Sequence, residues 1–510
     1  MSPSALTGTQ WFPAKGLNTA QPAHRVPMDM ASAGFDFVVD ENEVLKKRDG
    51  YAQVNSTEVS ASPSITSLSS LYLSSGTKYE LLGTSNGSVY QESAGVVTAQ
   101  VFSGLQTTYP LDYTQFLDSV IVLDGSSSPY TWDGSATGTI SAAPSSARYG
   151  ETHLNKFFLT GIAGNLSRVD YSATGDFNTY TGAGTDQFQV EQNNGQITTG
   201  IKSFSGNELV IFKERSMFKL LGVDKPSFTL SSIDLTIGCI SNRTIQVFKS
   251  STQGGILVFA SQDGIYVYDG VTPRKISSYI QDFWDSINRT KYDIFDSTID
   301  FDKGRYLLSV ATGSDSINSR IISVDLLHPW EDENGLHFPI TLWRVSAQSL
   351  NTEFVSSTNA QRLVFGGSSD GLKYYFGTLY SDNGDSIESY VVTPLMKFED
   401  GLGQENCLRR IYSAWVTTAG SITVSSENKD GTEWVEEEII QAVGAGAAIG
   451  VDFQIGISAI GVPEASFTAR TNTQVRSRRI KIRFLQDSAT RYFNLQSPVE
   501  FYYKRGGLRN

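Results

Sequence analysis

Apolar residues along this chain fall in short runs, about five residues long, that are hydrophobic at consecutive positions and broken by Gly, Asp, Asn and Ser. Gly254–Gly270 shows the plan. Ile256-Leu257-Val258-Phe259-Ala260 is a run of β-formers apolar on both faces, Gln262-Asp263-Gly264 turns the chain, and Ile265-Tyr266-Val267-Tyr268 runs back to Asp269-Gly270. An unbroken apolar run of strand length predicts a strand covered on both sides. Asp-Gly predicts a tight hairpin turn, with Gly264 free to take a positive φ. Such a hairpin cannot hide both faces alone, so the pattern predicts a stack of similar hairpins.

The plan recurs from about 55 to 390. Tyr79–Gly83 returns through Gly87–Tyr90, Ser119–Leu123 through Pro129–Gly134, Lys156–Thr160 through Ser167–Tyr171, and Glu208–Phe212 through Met217–Gly222. Tyr306–Val310 returns through Arg320–Val324, and Arg362–Gly367 through Gly371–Gly377. The returning strands begin at 87, 129, 167, 217, 264, 320 and 371, in steps of 42, 38, 50, 47, 56 and 51. A four-stranded propeller blade takes roughly 40–50 residues. The expected fold is therefore all-β, with a six- or seven-bladed β-propeller over 55–390; a run of unrelated hairpins in sandwiches is the competing reading.

The flanks read differently. Residues 1–54 are expected to form an extended arm and first strands, since Pro3, Pro13, Pro22 and Pro27 exclude a long helix. Ile280, Phe283, Trp284 and Ile287 share one helical face, with Ser278 and Gln281 placed as a capping box, so a helical insertion is expected near 279–291. Residues 391–510 are expected to form a separate antiparallel β-sandwich, in which Arg479–Phe484 alternates as a strand with one wet face. Within it the Gly/Ala-rich stretch 442–462 is too interrupted by Asp452 and Gln454 to be a membrane helix. It reads as a surface loop, or as an arm buried against a neighbouring subunit through Ala442, Gly446, Ile449 and Phe453.

Composition narrows the function. At 510 residues and 39% hydrophobic the chain can bury a large core. Net charge is −13, the opposite of a protein that grips nucleic acid by its phosphates. Within 470–510, ten basic residues face two acidic ones, a local +8, so the other 469 residues carry about −21. Arg476, Arg478, Arg479, Lys481 and Arg483 make the densest part of that stretch. They read either as a solvated strand edge guarded against aggregation or as a surface for an acidic partner, including this protein's own acidic body in a ring.

Candidate chemistry is sparse. His24, His153, His328 and His337 are scattered, without His, Cys or acidic neighbours at metal spacing, so no metal site is expected. Cys239 and Cys407 form no CxxC pair and are expected as free thiols in a reducing compartment. No nucleophile elbow, Walker loop or dinucleotide fingerprint is present, and no cofactor or catalytic residue is assigned. The recurrent Asp-Gly pairs are hairpin punctuation. Ser426–Trp434 loosely resembles the Asp-box turn of sialidase-type propellers, but its Asp430 and Gly431 are adjacent where that box spaces them by one. The N-terminus lacks a signal-peptide core and no apolar run reaches membrane-span length, so a soluble protein of the cytoplasm is expected, unless released in a particle.

The order of several phrases is similar to a known family. Gly16-Leu17-Asn18-Thr19 stands near the start, and Glu43–Tyr51 precedes the first blade. Ile211–Phe218 is followed by Gly238-Cys239-Ile240-Ser241, then Phe259–Tyr266, Thr393–Lys397 and a C-terminal unit containing Asp430-Gly431. Together they resemble the β-propeller nozzle or hub proteins of short-tailed bacteriophages, also called packaged-DNA stabilisation or head-completion proteins. The resemblance spans nearly the whole chain and implies a virion tail protein, assembled in the host cytoplasm into a ring, usually a hexamer. It further implies portal and adaptor proteins above, tail fibres or spikes at the side, and packaged DNA passing through the lumen without sequence-specific binding. The family brings no catalytic or cofactor residues. The alternatives are a propeller module that binds a receptor or glycan and, behind it, a propeller glycosidase.

Overall fold

A computed structural model describes residues 7–40, 44–59, 61–181, 186–250, 254–333, 335–355 and 360–397, then 406–417, 421–427, 434–441, 465–472, 476–477, 479–489, 494–495 and 498–505. Each predicted hairpin becomes the middle pair of an antiparallel sheet. The founding hairpin pairs Leu257 with Tyr268 and Ala260 with Ile265, between an inner strand, Gln246–Ser250, and an outer one, Pro273–Lys275. Its middle strands are buried on both faces, as are Glu208–Lys213 and Arg305–Val310, which explains their unbroken apolar runs.

Seven such sheets follow one another. Their inner strands are Ile65–Tyr72, Asp112–Phe116, Tyr149–His153, Thr198–Ser203, Gln246–Ser250, Asp296–Asp300 and Ser349–Val355. Successive inner strands pack side by side, with the short turn Asn242–Thr244 standing between the fourth and fifth, and the seventh packs against the first. The ring is thus closed, the arrangement of a β-propeller.

Closure uses the N-terminus. The fourth strand of the seventh sheet is Tyr51–Gln53, paired antiparallel with Lys373–Phe376. First and last parts of the ring thereby share one sheet, and no inner edge is left open.

The segment expected as an arm is built into sheets with the C-terminal strands. Thr7–Trp11 pairs in register with Val499–Arg505, Phe37–Val39 pairs with Leu45–Lys47, and Ala33–Phe35 pairs with Ser389–Val392. Two sheets result, of eight and five strands, and each mixes N- and C-terminal segments. Positions 54 and 390 are therefore not sheet boundaries. Trp11 lies parallel to Phe484 with ring centroids 6.0 Å apart, within a core that also holds Val391, Val424, Ile482, Ile340 and Trp284. That core is continuous with the fifth and sixth sheets of the ring.

Three local expectations change. Gly264 takes no positive φ; a Cβ there would lie 2.5 Å from Ser277 Oγ, so close packing is what requires glycine. The helix shrinks to Gln281–Asp285 between 3-10 turns, and Ser278 sits inside the preceding turn, so the capping box does not form. Ile280, Trp284 and Ile287 are nonetheless buried as a packing face. The strand expected over Arg479–Phe484 divides into Arg479–Ile480, paired with Met396–Lys397, and Ile482–Gln486 in the five-stranded sheet. Among the described residues no helix is long and apolar enough to cross a membrane.

Candidate functional site: the hub and the closing seam

One short turn fills the middle of the ring. Asn242–Thr244 precedes the inner strand of the fifth sheet and carries two consecutive long polar side chains toward other sheets. Asn242 Nδ2 donates to both oxygens of Asp112, at 3.3 and 3.2 Å, and its Oδ1 accepts from the Ile201 N–H at 3.0 Å. Asp112 also accepts from the Gly150 N–H at 3.0 Å. Arg243 Nη2 donates to the Thr66 carbonyl at 2.8 Å and to Asp296 at 2.5 Å, and Asp296 accepts from the Leu350 N–H at 2.8 Å. Asn242 and Arg243 thus tie the fifth sheet directly to the first, second, fourth and sixth, and Asp112 and Asp296 extend the network to the third and seventh.

The cavity that remains is about 260 Å³ and is lined by residues of all seven sheets, among them Glu151, Lys202 and Asn351. It has room for a small cluster of waters and none for a nucleic-acid strand. Burial pushes the Asp112 carboxyl up to about 6. Burial also raises Asp296, against the pull of Arg243, while the Glu151 charge 3.2 Å away raises Lys202. These charges are spent on one another. Among the described residues no group of three or more His, Cys, Asp or Glu is arranged to hold a metal ion.

A second charged cluster lies where the ring closes. Lys373, on the strand paired with Tyr51–Gln53, is 1% exposed and contacts Glu92 of the first sheet and Glu353 of the seventh, the latter at 3.0 Å. Arg362 Nε donates to Glu353 at 2.8 Å. Glu80 lies beside them, held by Lys78 at 2.7 Å and by the Ser70 hydroxyl at 2.6 Å. Burial, then the Glu353 charge, pushes Glu80 up to about 7. Burial works the same way on Glu353, but Lys373 and Arg362 outweigh it and hold that carboxyl low. A cavity of about 420 Å³ opens beside this cluster.

The residues expected at an interface are only partly placed. Ala442, Gly446, Ile449, Phe453 and Arg478 lie outside the described residues. Arg476 pairs through its backbone with Cys407, and Arg479 with Lys397. Ile480, Ile482 and Phe484 are buried while Lys481 and Arg483 are half-buried between them, so the alternation of wet and dry positions holds. Lys481 Nζ donates to Glu427 at 2.9 Å, and the Arg483 guanidinium sits 4.9 Å over the Trp434 ring. Both cations thus have intramolecular partners. Sequence reasoning missed Asp112, Asn242, Arg243 and Asp296 as a group. Their one signal was the position of Asn242 directly after Gly238-Cys239-Ile240-Ser241.

No protein-family model matches the chain, and no curated protein sequence does. Among solved structures it is similar to the β-propeller domain of Cps50 (Swd1) from Myceliophteria thermophila, with TM-score 0.41, 10% identity, and coverage of 64% of this chain and 100% of that one. The N-terminal domain of Nup159 gives 0.40 and 12%, over 67% and 97%. The WD40 β-propeller domain of Doa1 gives 0.38 and 10%, over 64% and 97%. The propeller itself is seen in the closed order of sheets.

Proposed function

We propose that this chain is a structural protein of a short-tailed phage particle. In this reading it is a subunit of the nozzle or hub ring below portal and adaptor, retaining packaged DNA and forming part of its exit channel. Counting each sheet of the ring as a blade gives a seven-bladed propeller, and the two mixed sheets form the C-terminal sandwich together with the N-terminal strands. The reading assigns no catalytic role.

One observation supports it above the others: the phrases that carry the family resemblance lie at architectural joints. Gly16, at φ 77°, packs so close to Ile340 that a Cβ would sit 2.7 Å from its backbone nitrogen. Arg48 ties the N-terminal strands to the short edge strand Ser381–Asp382 of the seventh sheet through Asp382, and Tyr51 is the first residue of the closing strand. Gly238 and Cys239 pack on the Lys213 carbonyl and lead into the turn that fills the hub. Residues kept for holding elements together suit a building block. The filled hub also suits it, because DNA would then pass between subunits of a ring and never along a propeller axis.

The test is the stoichiometry and image of the chain in an assembled particle. Six copies around a central lumen are expected. A single copy, or copies found only at fibre tips, would overturn the reading in favour of a receptor-binding module.

A further inference from the structure

The outer strand of a propeller sheet leaves one backbone edge without a partner, and such edges are normally guarded by brevity, charge, proline, bulges or a covering segment. Six of the seven sheets are guarded in these ways. The second ends on Thr137–Thr139, only three residues long; the third on Asp186–Gln189, which is short and carries a charge; the fifth on Pro273–Lys275, with a proline and two cations. The first sheet's outer strand, Val96–Phe102, is bulged twice against Val89–Ser93. In the sixth, Ile340–Trp343 is covered by N-terminal segments, whose Leu17 and Asp36 N–H groups donate to the Ile340 and Leu342 carbonyls. In the seventh, Tyr51–Gln53 is continued by Ser381–Asp382.

The fourth sheet is the exception. In its outer strand, Thr229–Asp234, residues Thr229–Ser232 pair with Phe218–Leu221 in unbroken register and include no charge and no proline. Thr229, Leu230 and Ser232 are exposed. Among the described residues, the backbone of Thr229–Ser232 makes no hydrogen bond beyond that pairing. Such an edge is met in full only by another extended backbone, which supplies donors and acceptors at the same spacing.

Beside this edge, between the third and fourth sheets, lies a cavity of about 180 Å³. Leu230 lines it from the edge strand itself, with Leu220 and Phe228 from the fourth sheet and its last connection, and Tyr171 and Phe188 from the third. Phe228 meets the Tyr171 ring edge-on, with centroids 5.3 Å apart. The two charged residues in the wall, Lys225 and Asp186, pair with each other. An apolar cavity of about 150 Å³ accommodates a benzene ring. This one is therefore sized for a single aromatic side chain, and its wall carries no net charge to attract an ionic one.

We propose that the outer edge of the fourth sheet is a peptide-binding site, where an extended, uncharged strand of a protein partner pairs with Thr229–Ser232 and seats one aromatic side chain in the cavity. Main-chain hydrogen bonds along the edge would supply the affinity and the aromatic anchor the selectivity. The inference does not depend on the ring reading, and adds a place at the side of the wheel where a partner attaches.

Selection from a random heptapeptide library on the full chain tests it. Enriched peptides should share one Phe, Tyr or Trp in an uncharged, β-branched background. Adding such a peptide should slow amide exchange in Thr229–Ser232 at least tenfold and leave Thr137–Thr139 unchanged. Methylating the peptide's backbone nitrogens, or replacing its aromatic residue by Ala, should each weaken binding at least tenfold. Both changes leave the protein untouched, so neither depends on the folding of a variant. Leu230→Asp should weaken binding to the same degree with its melting curve unchanged. No enriched pattern, protection that falls elsewhere, or methylated peptides that bind as tightly as the parent overturns the proposal. So does free p-cresol binding as tightly as the peptide, which would make the cavity a small-molecule site. Protection of Thr229–Ser232 that grows with the concentration of the chain alone also overturns it, since the occupant would then be a second copy.

Discussion

Arg48 Nε lies 2.7 Å from Asp36 Oδ1, and both side chains are about 1% exposed. The rest of the Arg48 guanidinium forks onto Asp382 at 2.8 and 2.6 Å, and Arg344 takes the other oxygen of Asp36 at 2.7 Å. This network joins the N-terminal strands, the residue that follows the sixth sheet and the edge strand Ser381–Asp382 of the seventh. Removing one member of a buried ion pair leaves an uncompensated charge and costs about 3–5 kcal/mol. Arg48→Met should lower the urea midpoint accordingly, and adding Asp36→Asn should recover part of the loss. An unchanged midpoint for Arg48→Met would show that this network does not hold the N-terminal strands to the ring.

Arg243 gives the second prediction. Arg243→Ala strips Asp296 of its cation and Thr66 of its donor in a buried hub, with an expected cost of about 3 kcal/mol. Amide hydrogen exchange should speed up along the inner strands of the first, sixth and seventh sheets more than along the third. Uniform acceleration would mean that Arg243 contributes only global stability.

The seam makes a pH prediction. Glu80 has its pKa raised from 4.5 to about 7. Its contribution to stability is therefore fully present below about 4.5 and is lost as pH climbs through about 7. Glu80→Gln abolishes that titration. Relative to the parent, the variant should gain on the order of 2 kcal/mol between pH 5 and pH 8, read as a rising difference in melting temperature. A constant difference across that range would contradict the assignment.

Tyr51 is the fourth case. Its ring meets Phe365 edge-on at 4.9 Å, with Tyr374 at 5.3 Å and Phe376 at 6.1 Å. Tyr51→Ala should destabilise by about 2–4 kcal/mol. Protection should fall first in Lys373–Phe376 and Ala360–Gly366, with the fourth sheet unaffected. Loss of protection beginning elsewhere would show that closure does not depend on this strand.

The hairpins were legible because the middle strands of each sheet are covered on both faces, so Leu257–Ala260 or Glu208–Lys213 must be apolar or paired throughout. Inner strands were not, because they also face a polar hub: Asp112, Glu151, Lys202 and Asp296 interrupt their pattern. Outer strands fail for the opposite reason, as Thr137–Thr139 is wholly exposed. The N-terminal strands are only three to five residues long and several pair with partners more than 300 positions away, a relation that no local period records. The hub was hidden because Asn242 and Arg243 act on residues from four other sheets, and Asp112 and Asp296 carry the contact on to the remaining two. The basic stretch around Lys481 and Arg483 was visible as charge, but its contacts with Glu427 and Trp434 depend on the pairing of distant strands.

In the proposed reading this closed wheel of sheets is a repeated part of a larger ring. Electron microscopy of the assembled particle tests that most directly. Six copies should surround a lumen wide enough for a DNA duplex, with every propeller hub filled and lying off the DNA path. Density for DNA running along a propeller axis, or one isolated copy away from any ring, would contradict it.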